Sequence, residues 1–135
     1  MSGQSCKRIR PDLCMQPPRA LYVHVPFCRG KCRYCDFYSA VFDSSPVRRY
    51  LPAVRRELDA RRESLARPLQ SIYLGGGTPT ALGPDLLSEL LAMLAPLADA
   101  ATQLSIEANP CTVDERVAAA LVAGGAKQRS ERGAR

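Results

Sequence analysis

Three short apolar runs recur along this chain, and each is followed by residues with helical spacing of apolar side chains. The first run, Ala20-Leu21-Tyr22-Val23-His24-Val25, is rich in β-branched residues and stops at Pro26, which reads as a buried strand. The second, Ser71-Ile72-Tyr73-Leu74, ends in Gly75-Gly76-Gly77, and the third runs from Gln103 to Ala108 and closes on Asn109-Pro110. Between the first two, Ser44-Ser45-Pro46 reads as a helix start, with serine able to cap and proline in the first turn. Val47, Tyr50, Leu51, Val54, Leu58 and Leu65 then continue at helical spacing toward Pro68, with Pro52 either tolerated near the start or kinking the first turn. A second helix is predicted from Pro84 to Leu97 on the spacing of Leu86, Leu87, Leu90, Leu91 and Leu94. Thr112 is placed to cap a third, with Val113, Val117, Leu121 and Val122 on its apolar face and Gly124-Gly125 as its stop. Strand and helix alternate three times, which implies an α/β fold with a parallel sheet and crossover helices.

In such folds the working loops lie at the carboxyl ends of the strands. A loop holding Cys28, Cys32 and Cys35 follows the first strand, the glycine run follows the second, and Glu107 closes the third. Three unusual features are therefore expected to converge on one edge of the sheet.

A length of 135 residues suits one domain, and 46% hydrophobic content suits a packed core. No apolar run is read as reaching the roughly 18 residues that span a bilayer. Residues 1–19 are polar, basic and proline-containing, read as a flexible leader without the apolar stretch of a secretory signal. The expected compartment is the reducing cytoplasm, where a cysteine cluster binds metal or does chemistry rather than forming disulfides. Cys6, Cys14 and Cys111 lie at no recognisable spacing and are read as ordinary thiols.

The formal net charge of +6 owes much to Arg48, Arg49, Arg55, Arg56, Arg61, Arg62 and Arg67. A nucleic-acid or acidic-ligand surface is one reading. A solvated helix face is the preferred one, because Glu57, Asp59 and Glu63 interleave the arginines and no aromatics alternate with them as a stacking platform needs. No nucleic-acid partner is expected.

The Cys-x3-Cys-x2-Cys spacing brings three sulfurs around one centre, with Gly30 easing the bend and Arg29, Lys31 and Arg33 available to offset negative charge. Three thiolates can hold three irons of a [4Fe–4S] cube and leave the fourth open to a small molecule, as catalytic metal sites keep an open position. Spacing alone also allows a zinc site of three cysteines plus His24, or a ferredoxin-like cluster with a distant fourth cysteine.

The segment LYVHVPFCRGKCRYCDF, followed by IYLGGGTPT and then SIEANP, closely resembles the radical S-adenosylmethionine (SAM) superfamily, in its oxygen-independent coproporphyrinogen III oxidase-like branch. The three motifs stand in the family's order across residues 20 to 112. The resemblance implies the N-terminal half of a partial TIM-type (β/α) barrel. It implies that Cys28, Cys32 and Cys35 ligate a [4Fe–4S] cluster whose open iron takes the amino and carboxylate groups of SAM. Tyr22 and Tyr34 match aromatic positions lining the cofactor pocket, or else pack around the loop. Gly76, Gly77 and Thr78 match the segment whose backbone approaches the methionine end, and Glu107 matches an acidic position that binds the cofactor. His24 is read either as a packed core histidine or as a functional one. True coproporphyrinogen oxidases carry another cysteine two positions after the third ligand, where this chain has Phe37. That is similar to the HemW-type heme-chaperone branch, whose members bind heme as well as SAM and pass heme to acceptor proteins. Whether the chain is an enzyme therefore stays open between oxidoreductase and chaperone.

Two departures stand out. Cys111 replaces the family's glycine after Pro110, and residues 124–135 are basic and polar where the family continues into another apolar strand. The expectation is a radical SAM core over 20–123 that is incomplete, a basic aberrant tail over 124–135, and an unpaired sheet edge after the third strand. On this reading the chain is a truncated product in heme or porphyrin metabolism, whose activity is open. A non-enzymatic zinc or Fe–S module is the alternative.

Overall fold

The computed structural model describes residues 16–30, 40–41, 44–126 and 128–131. Its strands are β1 (Ala20–Val25), β2 (Phe27–Cys28), β3 (Ala40–Val41), β4 (Ser71–Gly76), β5 (Gln103–Ala108) and β6 (Gln128–Glu131). Its helices are α1 (Ser44–Arg61), α2 (Gly83–Leu94) and α3 (Glu115–Ala123). The main sheet runs β1-β4-β5-β6, and every neighbouring pair is parallel. Each new strand adds beside its predecessor in one direction, without the reversal of order that marks a doubly wound sheet. That progression is how a (β/α) barrel grows.

Strand alternation divides the sheet into two unlike faces. Val23, Val25, Ile72, Leu74, Leu104 and Ile106 are buried on one face and join a single core with Val47 and Leu51 of α1, Leu87, Leu90, Leu91 and Leu94 of α2, and Val117 and Leu121 of α3. The opposite face carries Tyr22, His24, Tyr73, Ser105 and Glu107, with Tyr22 directly across from Tyr73 and Tyr73 across from Ser105. No helix is needed there because those side chains are polar or amphipathic.

The elements follow the sequence closely, with instructive differences. Helix α1 runs through Pro52 and ends at Arg61 rather than reaching Pro68, with a 3₁₀ turn over Arg62–Ser64. The arginine-rich face is solvent-facing, and Arg61 pairs with Glu57 one turn back, as the solvated-face reading expects. Thr112 does not cap α3. Asp114 does, its carboxylate accepting from the Val117 N–H at 2.8 Å, because Thr112 is buried two residues earlier. Pro79–Leu97, joining α2 to its flanking 3₁₀ turns, is 19 residues long and apolar enough to cross a membrane, contrary to the expectation of no such run. Half of it is buried against the sheet and α3, so the core accounts for its apolarity.

The unpaired edge after the third long strand is also corrected. Gln128–Glu131 pairs in parallel with Ser105–Ala108. Strand pairing is made by backbone groups, so a polar sequence can supply it even where no apolar pattern announces a strand.

Asp114→Ala should lower stability by about 1 kcal/mol through loss of the α3 cap, whereas Leu87→Ala should cost about 2–5 kcal/mol by opening a cavity under the sheet. Urea unfolding followed by circular dichroism measures both, and the order of the two effects checks the assignment of cap and core.

Candidate functional site at the carboxyl edge of the sheet

Strand β1 leaves the sheet at Val25, turns at Pro26 and continues into β2. Two-residue pairing of Phe27–Cys28 with Ala40–Val41 brings the chain back beside Cys28. The cysteine-rich segment is thus bracketed at its two ends by a small parallel clip. Cys28 is half-buried at the exit of this clip. Cys32, Cys35, Tyr34 and Phe37 lie outside the described residues, as do Cys6 and Cys14. Among the described residues no three His, Cys, Asp or Glu side chains gather to hold a metal ion.

The glycine run is held against β1 by backbone alone. Beyond the strand pairing, the Gly77 N–H donates to the Val25 carbonyl at 2.8 Å and the Thr78 N–H to the Phe27 carbonyl at 2.7 Å. A Cβ on Gly77 would stand 2.6 Å from the Phe27 carbonyl oxygen and 2.8 Å from both the Phe27 nitrogen and the Val25 oxygen. Those are rigid backbone atoms, so only glycine fits. Gly76 adopts φ +108°, and a Cβ there would overlap the His24 ring. This path delivers Thr78 to the cysteine loop, where its hydroxyl donates to the Cys28 sulfur at 3.7 Å.

Glu107 completes the edge. Its side chain is only 4% exposed. One carboxylate oxygen accepts from the Tyr73 hydroxyl at 2.8 Å and the other from the Gly76 N–H at 3.1 Å. A buried carboxylate needs such donors, since desolvation without them is costly. The strand-end carboxylate is therefore built into the sheet rather than solvated.

Beside it lies an aromatic group that sequence reading brought together only in part. Tyr22 is 56% exposed, stacks on Tyr73 with ring centroids 6.0 Å apart, and shares a 3.0 Å hydrogen bond with His24 Nδ1. His24 is exposed, so the core-histidine reading falls. Tyr50 of α1 donates to the His24 carbonyl at 2.8 Å, and burial, aided by Tyr22 and Glu57, raises its phenol far above the ordinary range, so the donating proton stays in place. Tyr73 and Tyr50 were missed as site residues. Period-two alternation with Tyr22 and Glu107 marks the face of Tyr73, but no sequence signal foretells the reach of Tyr50.

A cavity of about 300 Å³ lies between α1 and β1 and takes in Tyr22, His24 and Tyr50. The strand-end edge is distinguished instead by converging polar groups: a thiol, a glycine cradle and a buried carboxylate within one hydrogen-bonded unit. Cys111 is exposed, and its N–H donates to Asn109 Oδ1 at 3.0 Å, so the turn after β5 closes without the family's glycine.

Gly77→Ala should destabilise the chain by about 1–3 kcal/mol, as overpacking against a fixed backbone does. Gly30→Ala should cost less, since among the described residues nothing lies within 4 Å of its added methyl. Thermal melts of the two variants make the comparison.

These positions can be set beside known proteins. A profile of the radical SAM superfamily matches residues 22–128. The heme chaperone HemW of Bacillus subtilis is 38% identical over 96 residues, covering 68% of this chain and 25% of that protein. The anaerobilin synthase of Escherichia coli O157:H7 is 34% identical over 113 residues, covering 78% and 25%. Coproporphyrinogen III oxidase (HemN) from Escherichia coli, described as a radical SAM enzyme, superposes with a TM-score of 0.77 at 32% identity, over 86% of this chain and 28% of that one. The chain thus spans about a quarter of the length of these relatives. With the parallel sheet growing in barrel order and the glycine cradle at its carboxyl edge, the chain belongs to the radical SAM superfamily, in the group that includes HemW-type heme chaperones and HemN-like coproporphyrinogen oxidases.

Proposed function

We propose that this chain binds a [4Fe–4S] cluster and SAM at the carboxyl edge of its sheet, as part of a protein of heme or porphyrin metabolism. The observation that carries the reading is the joining of Cys28, Thr78, Gly76 and Glu107 by hydrogen bonds at that edge. The residues present fit the two groups. Cys28 sits at the start of a loop that holds Cys32 and Cys35 in sequence, a donor set suited to iron. Gly76, Gly77 and Thr78 are half-buried at that edge, so the segment presents part of its surface to a ligand.

Cys28, Cys32 and Cys35 would hold the cluster. Gly76, Gly77, Thr78 and Glu107 would hold SAM, with Tyr22 lining its pocket. When bound, a cluster with one iron lacking a protein ligand offers an open position to the amino and carboxylate groups of SAM. The chain's own part is electrostatic and steric. Glu107 presents negative charge suited to an ammonium group, and its orientation is fixed by the Tyr73 hydroxyl and the Gly76 amide. The Thr78 hydroxyl donates to a cluster sulfur ligand, an interaction that tunes such centres.

Heme or a porphyrin is the proposed larger ligand, and Phe37, together with the HemW relatives, favours the chaperone branch, with a heme-acceptor protein as partner. The reading carries with it a reducing, cytoplasmic setting, where thiolates remain available to iron.

Anaerobic reconstitution with iron and sulfide tests it. Cys28→Ala, Cys32→Ala and Cys35→Ala should each lose bound iron, while Cys6→Ala, Cys14→Ala and Cys111→Ala should keep it. SAM should perturb the electron paramagnetic resonance signal of the reduced protein, and Glu107→Gln should weaken that response. Retention of full iron in Cys32→Ala, or a signal indifferent to saturating SAM, would sink the reading.

A further inference from the structure

Two buried threonines lie in the turns that follow β4 and β5. Thr80 is 0% exposed and Thr112 is 4% exposed. Their hydroxyl oxygens are 2.5 Å apart. Each hydroxyl has one proton to give, so the direction of every bond around them can be worked out. The Thr112 hydroxyl donates to the Asn109 carbonyl at 2.8 Å, because a carbonyl can only accept. Its proton is then used, so the short contact must be Thr80 donating to Thr112. The Asn109 N–H points to the Thr80 oxygen at 3.4 Å and donates to it. The result is a closed ring in which all donors run the same way round: Asn109 N–H to Thr80, Thr80 to Thr112, Thr112 to Asn109 C=O.

The placement of the ring gives it consequences. Thr80 stands two residues past Thr78 and four past Gly76, in the turn that follows β4. Asn109 stands two residues past Glu107, at the end of β5. Strand pairing between β4 and β5 extends only to Leu74 with Ile106. Beyond that point the Glu107–Gly76 bond and this ring are among the links between the two strand ends. Both are polar connections in a buried setting, where a satisfied cycle strengthens its members and a broken one leaves donors unpaired.

We infer that Thr80 and Thr112 are positioning residues, whose hydroxyl ring with Asn109 fixes the spacing between the Glu107 carboxylate and the Gly76–Thr78 cradle and so sets the affinity of the site for SAM. The inference deepens the proposed function and rests on it for the identity of the ligand. The ring itself is a property of the cofactor-free chain. It also gives a role to Thr80 of the GGGTPT segment and Thr112 of the EANPCT segment.

The test uses the full chain and two readouts. In the cofactor-free protein, hydrogen exchange of the Gly76 amide is followed by NMR. Thr80→Val should speed that exchange about 5-fold, the loss of one buried hydrogen bond's worth of protection. Thr80→Ser, which keeps the hydroxyl, should restore the original rate, and the Leu90 amide in α2 should be unaffected throughout. Thr112→Val breaks the ring at another link and should reproduce the Thr80→Val effect. In the reconstituted protein, SAM affinity should fall about 5-fold in both valine variants at unchanged iron content. Gly76 exchange at the unaltered rate in Thr80→Val would overturn the inference. So would an Asn109 amide in the unsubstituted chain that exchanges as freely as an exposed loop amide, a result that needs no variant to fold. If the unsubstituted chain takes up no SAM, the proposed function fails while Gly76 exchange still decides the ring.

Discussion

The close approach of β4's exit to β1's exit is the constraint on which the candidate site depends. Gly77 and Thr78 continue to hydrogen-bond to Val25 and Phe27 after the strands themselves have ended. That continuation exists only because residue 77 has no side chain. Through it Cys28, where the cysteine loop begins, is tied to the glycine cradle, with the Thr78 hydroxyl resting on the Cys28 sulfur. Glu107 is then drawn in by the Gly76 amide that this path exposes. A methyl group at position 77 would disturb three motifs at once, although it belongs to only one.

The same sheet serves two purposes by alternation. Its aliphatic face, with Ile72, Leu74, Leu104 and Ile106, supports the helices and supplies the apolar burial that holds the fold. Its other face carries the tyrosines, His24 and Glu107, whose polar groups find partners within the row. Stability and binding chemistry are thus separated onto opposite faces of the same residues' backbone. A barrel interior needs this division, because a fully aliphatic inner face would leave no groups to meet a charged cofactor.

Much of this was legible in the chain, for physical reasons that differ by element. The strands Ala20–Val25 and Gln103–Ala108 were read to the residue, because β-branched runs bounded by proline or Asn-Pro leave little freedom. Helix α2 was read from its leucine spacing. The failures share a cause. Threonine before an apolar period is a common helix-start signal, yet burial beside Thr80 claims the Thr112 hydroxyl and leaves the cap to Asp114. β6 escaped notice because its residues, Gln128-Arg129-Ser130-Glu131, have no apolar pattern, and what recruits them is the open backbone edge of β5. Convergence of Cys28, Gly76–Thr78 and Glu107 followed from topology alone, whereas the 3.1 Å bond from Gly76 to Glu107 and the role of Tyr73 depend on side-chain reach that no spacing encodes.

The hydrogen bonds at the carboxyl edge also show why the three motifs belong together as a set. Each motif pairs a group that faces the proposed ligands with a group that faces another motif. In the glycine segment, Gly76 and Thr78 reach Glu107 and Cys28, while Thr80 reaches Asn109 and Thr112. In the third motif, Glu107 reaches forward and Asn109 backward. Past the end of strand pairing, the 3.1 Å bond from Gly76 to Glu107 ties the carboxylate to the cradle on the inward side. The buried threonine ring adds a second fixed point behind the first. Two points of attachment define the angle between the strand ends as well as their separation, and the proposed site, which would meet both a metal cluster and the charged end of a cofactor, requires that angle to be set before either arrives.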